Sequence, residues 1–212
     1  MNEPARRLAA LAGVVGPAAF IVAWVVASTI APRYSANDDA ISQLAAVGAD
    51  TRVLMTGGFI ALALCAIPYA MALRHALGGR AWITSAGTGV AMVLLVAIPL
   101  GRSSATDHFH GFAALFGYLT LGFTPLLAIR PLLARGRRAV AGLGVLVAIT
   151  SGTALLLSDT TPLTGLFQRI GLTAGQVWIV GSALAMVSGR LQRLTAERRS
   201  EPPVVTSGAA VG

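Results

Sequence analysis

An acid and two histidines lie close together in the segment SSATDHFHGFAALFGYLT, residues 103–120. Carboxylate and imidazole groups are the usual general acids and bases of enzymes, and Asp107 and His110 are spaced to share one side of a helix, while His108 points elsewhere. A helix start disfavours the imidazolium, whereas a neighbouring carboxylate favours it. Three interpretations stay open: helix capping by Asp107, a ligand-contacting or proton-handling Asp107/His110 pair, and a metal site completed by Asp159.

A second polar segment, YSANDDAISQLAAVGADTR, spans residues 34–52. Asn37 or Asp38 is a candidate N-cap, and apolar residues follow it at helical spacing: Ile41, Leu44 and Ala45. The pattern predicts a short amphipathic helix that carries Ser42 and Gln43. Two interpretations of this segment stay open. It is either a structural loop held in place by its own capping hydrogen bonds or a lid over a pocket. As a lid, it would make Ser42 and Gln43 candidate ligand contacts.

A third polar group occurs in SDTTPLTGLFQRIGLTAGQVWI, residues 158–179. Asp159 follows one apolar run, and Gln168 and Arg169 begin the next. Gln176 lies about 10 Å farther along a helix than residue 170, which predicts that it faces the interior of a helix bundle. Guanidinium groups bind phosphate, so three arginines near these segments are candidate phosphate contacts unless they pair with nearby acids: Arg52, Arg102 and Arg169.

The composition determines what must position these side chains. Of the 212 residues 55% are hydrophobic and 11% charged, with a mean hydropathy of +0.74. Soluble domains carry roughly 25% charged residues, so the chain is predicted to be an integral membrane protein. The net charge of +8 comes from arginine alone, mostly in short turns, which argues against nucleic-acid binding. Cys65, the one cysteine, lies in an apolar run and is expected to be an inert hydrophobe.

Apolar runs of about the length that crosses a bilayer predict the fold class, an all-α membrane protein with a bundle of six transmembrane helices. Helices are required because backbone amides in hydrocarbon must be paired within their own segment. Prolines at 17, 68 and 125 are expected to kink them. The predicted spans are 8–30, 53–73, 81–100, 109–133, 139–157 and 170–189.

Arginine placement predicts the orientation. Twelve of the sixteen arginines fall in the N-terminal segment, the second and fourth loops and the C-terminal segment. Positive residues are enriched on the cytoplasmic side of membrane proteins, so both termini are expected in the cytoplasm of a cell and the three polar segments outside it. We therefore expect a multi-pass plasma-membrane protein with a transmembrane domain over 1–190 and a disordered cytoplasmic tail over 191–212.

Small residues at helical spacing predict close helix packing. Gly171 and Gly175 form a GxxxG pattern, and Ser85 and Gly89 a related one. Such patterns serve contacts within one bundle or between copies, so a helix–helix oligomer through Gly171 and Gly175 is one expectation.

Three stretches resemble the domain-of-unknown-function 998 family of bacterial multi-pass membrane proteins: YSANDDAISQLAAVGADTRVLMTGGFIALAL, DHFHGFAALFGYLTLGF and TGLFQRIGLTAGQVWIVGSALAM. The resemblance implies about six helices and no assigned reaction. By that resemblance Ser42 and Leu44 belong to an Ile-Ser-x-Leu element, and Gln168-Arg169 opens the last helix. His110-Gly111 matches the family's His-Gly, but Ala114 stands where members often have another histidine.

These observations favour a membrane protein whose outward pocket binds a lipid head group or small amphiphile, with no cofactor and no metal. The pocket would comprise Ser42, Gln43, Arg52, Arg102, Asp107, His110, Asp159, Gln168, Arg169 and Gln176. One alternative is an intramembrane lipid hydrolase or transferase in which Asp107 and His110 are the acid/base groups and Ser42 is either the nucleophile or an orienting residue. A second alternative is an assembly partner of another membrane complex.

The predicted orientation is testable with reporter fusions. Alkaline phosphatase fused after Arg102 is expected to be active, because that loop is predicted to be exported. The same reporter fused after Arg137, or at the C-terminus, is expected to be inactive. The reverse pattern of activities would overturn the predicted orientation.

Overall fold

The computed structural model describes residues 1–191, which form six α-helices, one short 3-10 helix and no strand. The α-helices are α1 (Glu3–Ile30), α2 (Arg52–Leu77), α3 (Ala81–Ala97), α4 (Ser104–Ala134), α5 (Arg138–Thr160) and α6 (Thr164–Val187). The 3-10 helix, Ile41–Ala45, is called the loop helix below. The predicted all-α six-helix fold is confirmed. The predicted tail over 191–212, apart from Leu191, lies outside the described residues.

Three helices begin five or six residues before the predicted spans, because polar residues extend each helix past its apolar run. At α1, the Asn2 side chain accepts a hydrogen bond from the amide of Ala5 at 3.1 Å. At α4, Ser103 and Thr106 form a capping box. The expectation that Asp107 caps α4 is therefore wrong, since Ser103 occupies that position.

The helices close into a ring. Each α-helix packs against its neighbours in the chain, and α1 also packs against α6. Inside the ring, α2, α4 and α6 also contact one another directly. The loops α1–α2, α3–α4 and α5–α6 lie together at one end of the bundle, called the site end below. Backbone hydrogen bonds there join the first loop to the α3–α4 loop and to the first turn of α6.

The helices have the length and composition of membrane spans. Five are long and apolar enough to cross a bilayer, and α3 is a shorter apolar helix of 17 residues. Large hydrophobic side chains such as Val53, Leu64 and Phe112 are exposed on the outside of the ring. Since a soluble protein rarely exposes apolar area so extensively, the fold is that of a multi-pass membrane protein.

The GxxxG pattern of α6 is buried within the chain. A Cβ atom on Gly171 would meet Ala154 of α5 and Tyr118 of α4, each at 3.0 Å, and a Cβ atom on Gly175 would meet Leu121 of α4. These glycines let α6 approach its two neighbours closely, so the GxxxG face is occupied inside this bundle.

The loop helix differs from the predicted amphipathic helix. It spans five residues, and Ala40 precedes it without a side-chain cap. Neither Asn37 nor Asp38 caps it; Asp38 and Asp39 accept hydrogen bonds from Ser35, at 2.6 and 2.8 Å, and hold an earlier turn. The expected burial of its apolar side is found, with Ile41 and Leu44 at 3% and 1% exposure.

Replacing Gly175 by alanine should destabilise the bundle, because the added methyl group overlaps Leu121. Overpacking of this kind costs about 1–3 kcal/mol. Gly181→Ala on the same helix is the matched control, since a Cβ atom there meets nothing within 4 Å. Thermal unfolding of the detergent-solubilised protein should show a lower midpoint for Gly175→Ala only; equal midpoints would contradict the described α4–α6 packing.

Candidate functional site

The three polar segments converge at the site end. The amide of Val47 donates to the carbonyl of Leu100 at 2.8 Å, which joins the α1–α2 loop to the α3–α4 loop. The amide of Ile41 donates to Oε1 of Gln168 at 3.1 Å, and this bond supplies the cap that the loop helix lacks locally. Side chains predicted from three distant stretches thus surround one end of the bundle.

Arg169 holds the α1–α2 loop against α6. Its Nη1 donates to the carbonyls of Ala36 and Gly165 at 2.6 and 2.8 Å, and its Nη2 donates to the Tyr34 hydroxyl at 2.6 Å. The guanidinium also lies over the rings of Trp24 and Tyr34, at 5.1 and 5.6 Å from the ring centroids. Because these groups already engage Arg169, it is a clamp between elements and is not free to bind a phosphate.

Tyr34 completes the clamp as a neutral group. Burial raises the pKa of Tyr34, although the adjacent Arg169 guanidinium opposes that rise. The tyrosine hydroxyl therefore keeps its proton at neutral pH, and it donates toward the carbonyls of Asp39 and Ala40 at 3.1 and 3.2 Å.

Asp107 and His110 secure the turn between α3 and α4. The Asp107 carboxylate accepts a hydrogen bond from the amide of Gly101 at 2.8 Å. His110 is 3% exposed, and its Nδ1 lies 2.6 Å from the carbonyl oxygen of Ile98, the C-cap residue that follows α3. Each side chain thus satisfies a backbone group that the chain reversal leaves without a helical partner.

The Ile98 contact fixes the proton arrangement of His110. A carbonyl oxygen only accepts, so Nδ1 carries the proton and donates it. In the neutral ring Nε2 is then an acceptor, and it is buried without a hydrogen-bond partner among the described residues. No hydrogen bond joins His110 to Asp107 or to Ser42 within residues 1–191, so the acid, base and nucleophile of the hydrolase alternative are not assembled.

The same part of the chain offers no metal centre. No group of three or more histidine, cysteine or acidic side chains in residues 1–191 could hold a metal ion. Asp159, Asp107 and His110 therefore do not form a three-ligand group in this part of the chain. His108 is exposed, and its Nδ1 lies 2.7 Å from the carbonyl of Ser104 in its own helix.

A central cavity of about 50 Å³ lies below the loop helix. It brings together three of the predicted residues: Ser42, Gln168 and Gln176. Every α-helix except α5 contributes to its wall, which is otherwise mostly apolar, with residues such as Phe20, Leu62 and Met92.

A larger groove of about 810 Å³, called the α4–α5 groove below, lies on the other side of Gln168. Its polar end carries Asp107, Asp159 and Gln168, together with His108, Ser158 and Thr164. A smaller cavity of about 110 Å³ shares Tyr118, Gly152 and Leu155 with it and continues between α4 and α5 as far as Leu126.

The other predicted residues lie apart from both cavities. Arg102 and Gln43 are exposed, and Arg52 begins α2. His110 and Arg169 line neither cavity, because both are used to hold loops in place. The residues predicted to form one pocket therefore divide into those that line two separate cavities and those, His110 and Arg169, that hold loops in place.

Sequence reasoning missed Tyr118, which lies between the two cavities. Its hydroxyl donates to the backbone carbonyl of Gln168 at 2.8 Å, and its ring lines the central cavity and the groove. A tyrosine in an apolar helix usually finds a polar partner, which was the available signal. Ala114 also borders both cavities.

A family model described as "Protein of unknown function (DUF998)" matches residues 14–185. The chain belongs to the DUF998 family. No curated protein and no solved structure matches the chain. The DUF998 match covers all six helices, from within α1 to within α6, and so includes the site end with its clamps and both cavities. It confirms the resemblance drawn from the sequence and assigns no reaction.

Arg169→Gln should release the α1–α2 loop, because glutamine cannot reach the same carbonyls and rings. The expected results are a lower unfolding midpoint and faster tryptic cleavage after the exposed Arg33. Arg102→Gln is the matched control, since Arg102 is exposed and makes no side-chain hydrogen bond in the described chain. Equal cleavage rates in the two variants would show that Arg169 does not hold the loop.

Proposed function

We propose that this DUF998 protein binds a membrane amphiphile in the α4–α5 groove, with the polar head at Asp107 and Asp159 and the hydrocarbon chain between the two helices. The observation that carries the proposal is the groove itself, about 810 Å³ in volume, with carboxylates at one end and apolar side chains along the rest. Binding sites for small molecules commonly combine this volume and mostly apolar lining with a few convergent polar groups.

The length and opening of the groove suit a lipid. From Asp107 to Leu126, 19 residues of helix cover about 28 Å, which is longer than one leaflet, about half of the roughly 30 Å bilayer core, so an extended hydrocarbon chain fits. Phe112 and Leu156, on its rim, are 67% and 64% exposed. The groove thus opens sideways, where the surrounding medium is hydrocarbon, so a lipid can enter without crossing water.

Charge complementarity selects the kind of head group. Neither Asp107 nor Asp159 forms an ion pair within residues 1–191. Since the predicted phosphate contacts lie elsewhere or are already bound, the groove does not attract an anion. An amine-bearing head group supplies both the positive charge and the hydrogen-bond donors that two carboxylates accept.

The position of Asp159 supports a role in binding. It lies one residue before the end of α5, where the helix dipole is negative and an acid is unfavourable. A residue that opposes local stability while lining a cavity is typical of a site kept for function.

The experiment compares lipids retained by the protein in native mass spectrometry. Equal amounts of phosphatidylethanolamine, phosphatidylglycerol and diacylglycerol are offered to the detergent-solubilised chain. The wild type should prefer the amine-bearing lipid several-fold over both others. Asp107→Asn with Asp159→Asn should remove that preference, because asparagine keeps the Gly101 hydrogen bond and loses the charge.

Gly152→Leu tests the groove independently of its charges. A side chain there enters open space, so it fills the groove without displacing its neighbours, and lipid retention should fall. Gly142→Leu is the control on the same helix, since Gly142 also faces open space and does not line the groove. Equal retention by both variants would overturn the proposal.

A further inference from the structure

The central cavity contains an unsatisfied buried polar group. Gln176 is 2% exposed and lines the cavity, and its Oε1 has no hydrogen-bond partner among the described residues. Leaving such a buried acceptor unpaired is unfavourable, because the group loses its hydrogen bond to water and gains none in the protein. This position lies three turns into α6 from Thr164, away from the polar end of the helix. A molecule held in the cavity would restore the missing hydrogen bond.

The wall determines what that molecule can be. No arginine, aspartate, glutamate or histidine lines the cavity, so an ion there would lack a counter-charge, and burying an unpaired charge is strongly unfavourable. The bound molecule must therefore be neutral. A hydroxyl suits the site because it can donate to Oε1 of Gln176, the buried acceptor without a partner among the described residues.

Water alone is a poor occupant of this space. A buried water normally makes two to four hydrogen bonds, and about 50 Å³ corresponds to roughly three to five waters. Two further polar groups of the wall are already engaged: Thr88 donates to Thr120 Oγ1 at 3.1 Å, and Tyr118 donates to the Gln168 carbonyl. Among the polar side chains of the wall, only Gln176, Ser42 and the side-chain NH2 of Gln168 are left to bind several waters. Apolar side chains surround most of the volume.

We propose that the central cavity is a second binding site, separate from the α4–α5 groove, for a small neutral molecule of the short-chain alcohol class, whose hydroxyl donates to Gln176 Oε1. The apolar body of such a molecule contacts Phe20, Leu62 and Met92. The loop helix lies over one side of the site, where Ile41 and Ser42 line the wall and the Ile41 amide donates to Gln168 Oε1 at 3.1 Å.

The test uses two fluorinated probes of equal size, 2,2,2-trifluoroethanol and 1,1,1-trifluoropropane, which differ in the hydroxyl. Fluorine NMR of the full chain in detergent, at millimolar probe, measures a protein-bound resonance and its saturation. Trifluoroethanol should bind at least ten-fold more tightly than trifluoropropane to the wild type, and unlabelled 1-butanol should displace it. Absent binding, or equal binding of both probes, would overturn the proposal.

Variants then assign the site. Gln176→Leu should lose the ten-fold preference, while Gln43→Leu, on the exposed side of the loop helix, should keep it. Retention of the preference by Gln176→Leu would overturn the assignment to this cavity. The wild-type comparison of the two probes needs no variant, so the proposal stays testable if Gln176→Leu does not fold.

Discussion

The arrangement of the site end depends on Arg169, a cation that is bound by neutral groups and not by a carboxylate. Arg169 donates to two backbone carbonyls and a tyrosine hydroxyl and stacks on two aromatic rings, and no carboxylate pairs with it in residues 1–191. The carbonyl partners do not ionise, and burial raises the pKa of the Tyr34 hydroxyl, so the clamp keeps its partners in one charge state around neutral pH. By fixing the α1–α2 loop to α6, it places the loop helix over the central cavity and brings Gln168 to the wall that the two cavities share.

The sequence predicted the fold through one strong physical constraint. Apolar runs near 20 residues have few alternatives to membrane helices, which is why six helices were predicted and found. Their ends were less predictable because capping is local: Asn2 and Ser103 extend α1 and α4 beyond their apolar runs, and hydropathy carries no signal for that.

For the site, the sequence predicted which end of the bundle the residues share but not which atoms they contact. Polar residues in three loops indicated that Ser42, Gln168 and Asp107 would lie at one end, which the structure shows. Their partners could not be read from spacing. Asp107 and His110 look like an acid–base pair in sequence, yet each bonds to a backbone group of the preceding turn, 6 and 12 residues away. The division into two cavities arises from Tyr118, whose role depends on the packing of α4 against α6.

The shortness of α3 has a consequence for the surrounding bilayer. Seventeen residues of helix span about 26 Å, less than the roughly 30 Å hydrocarbon core. At the chain reversal after α3, His110 and the amide of Val47 satisfy the carbonyls of Ile98 and Leu100, which have no helical partner there. Hydrophobic mismatch of this kind is relieved by local thinning of the lipid, at a fraction of a kcal/mol per ångström. The bilayer should therefore thin beside α3 alone, since the other five helices, of 23 to 31 residues, are long enough to cross the full core.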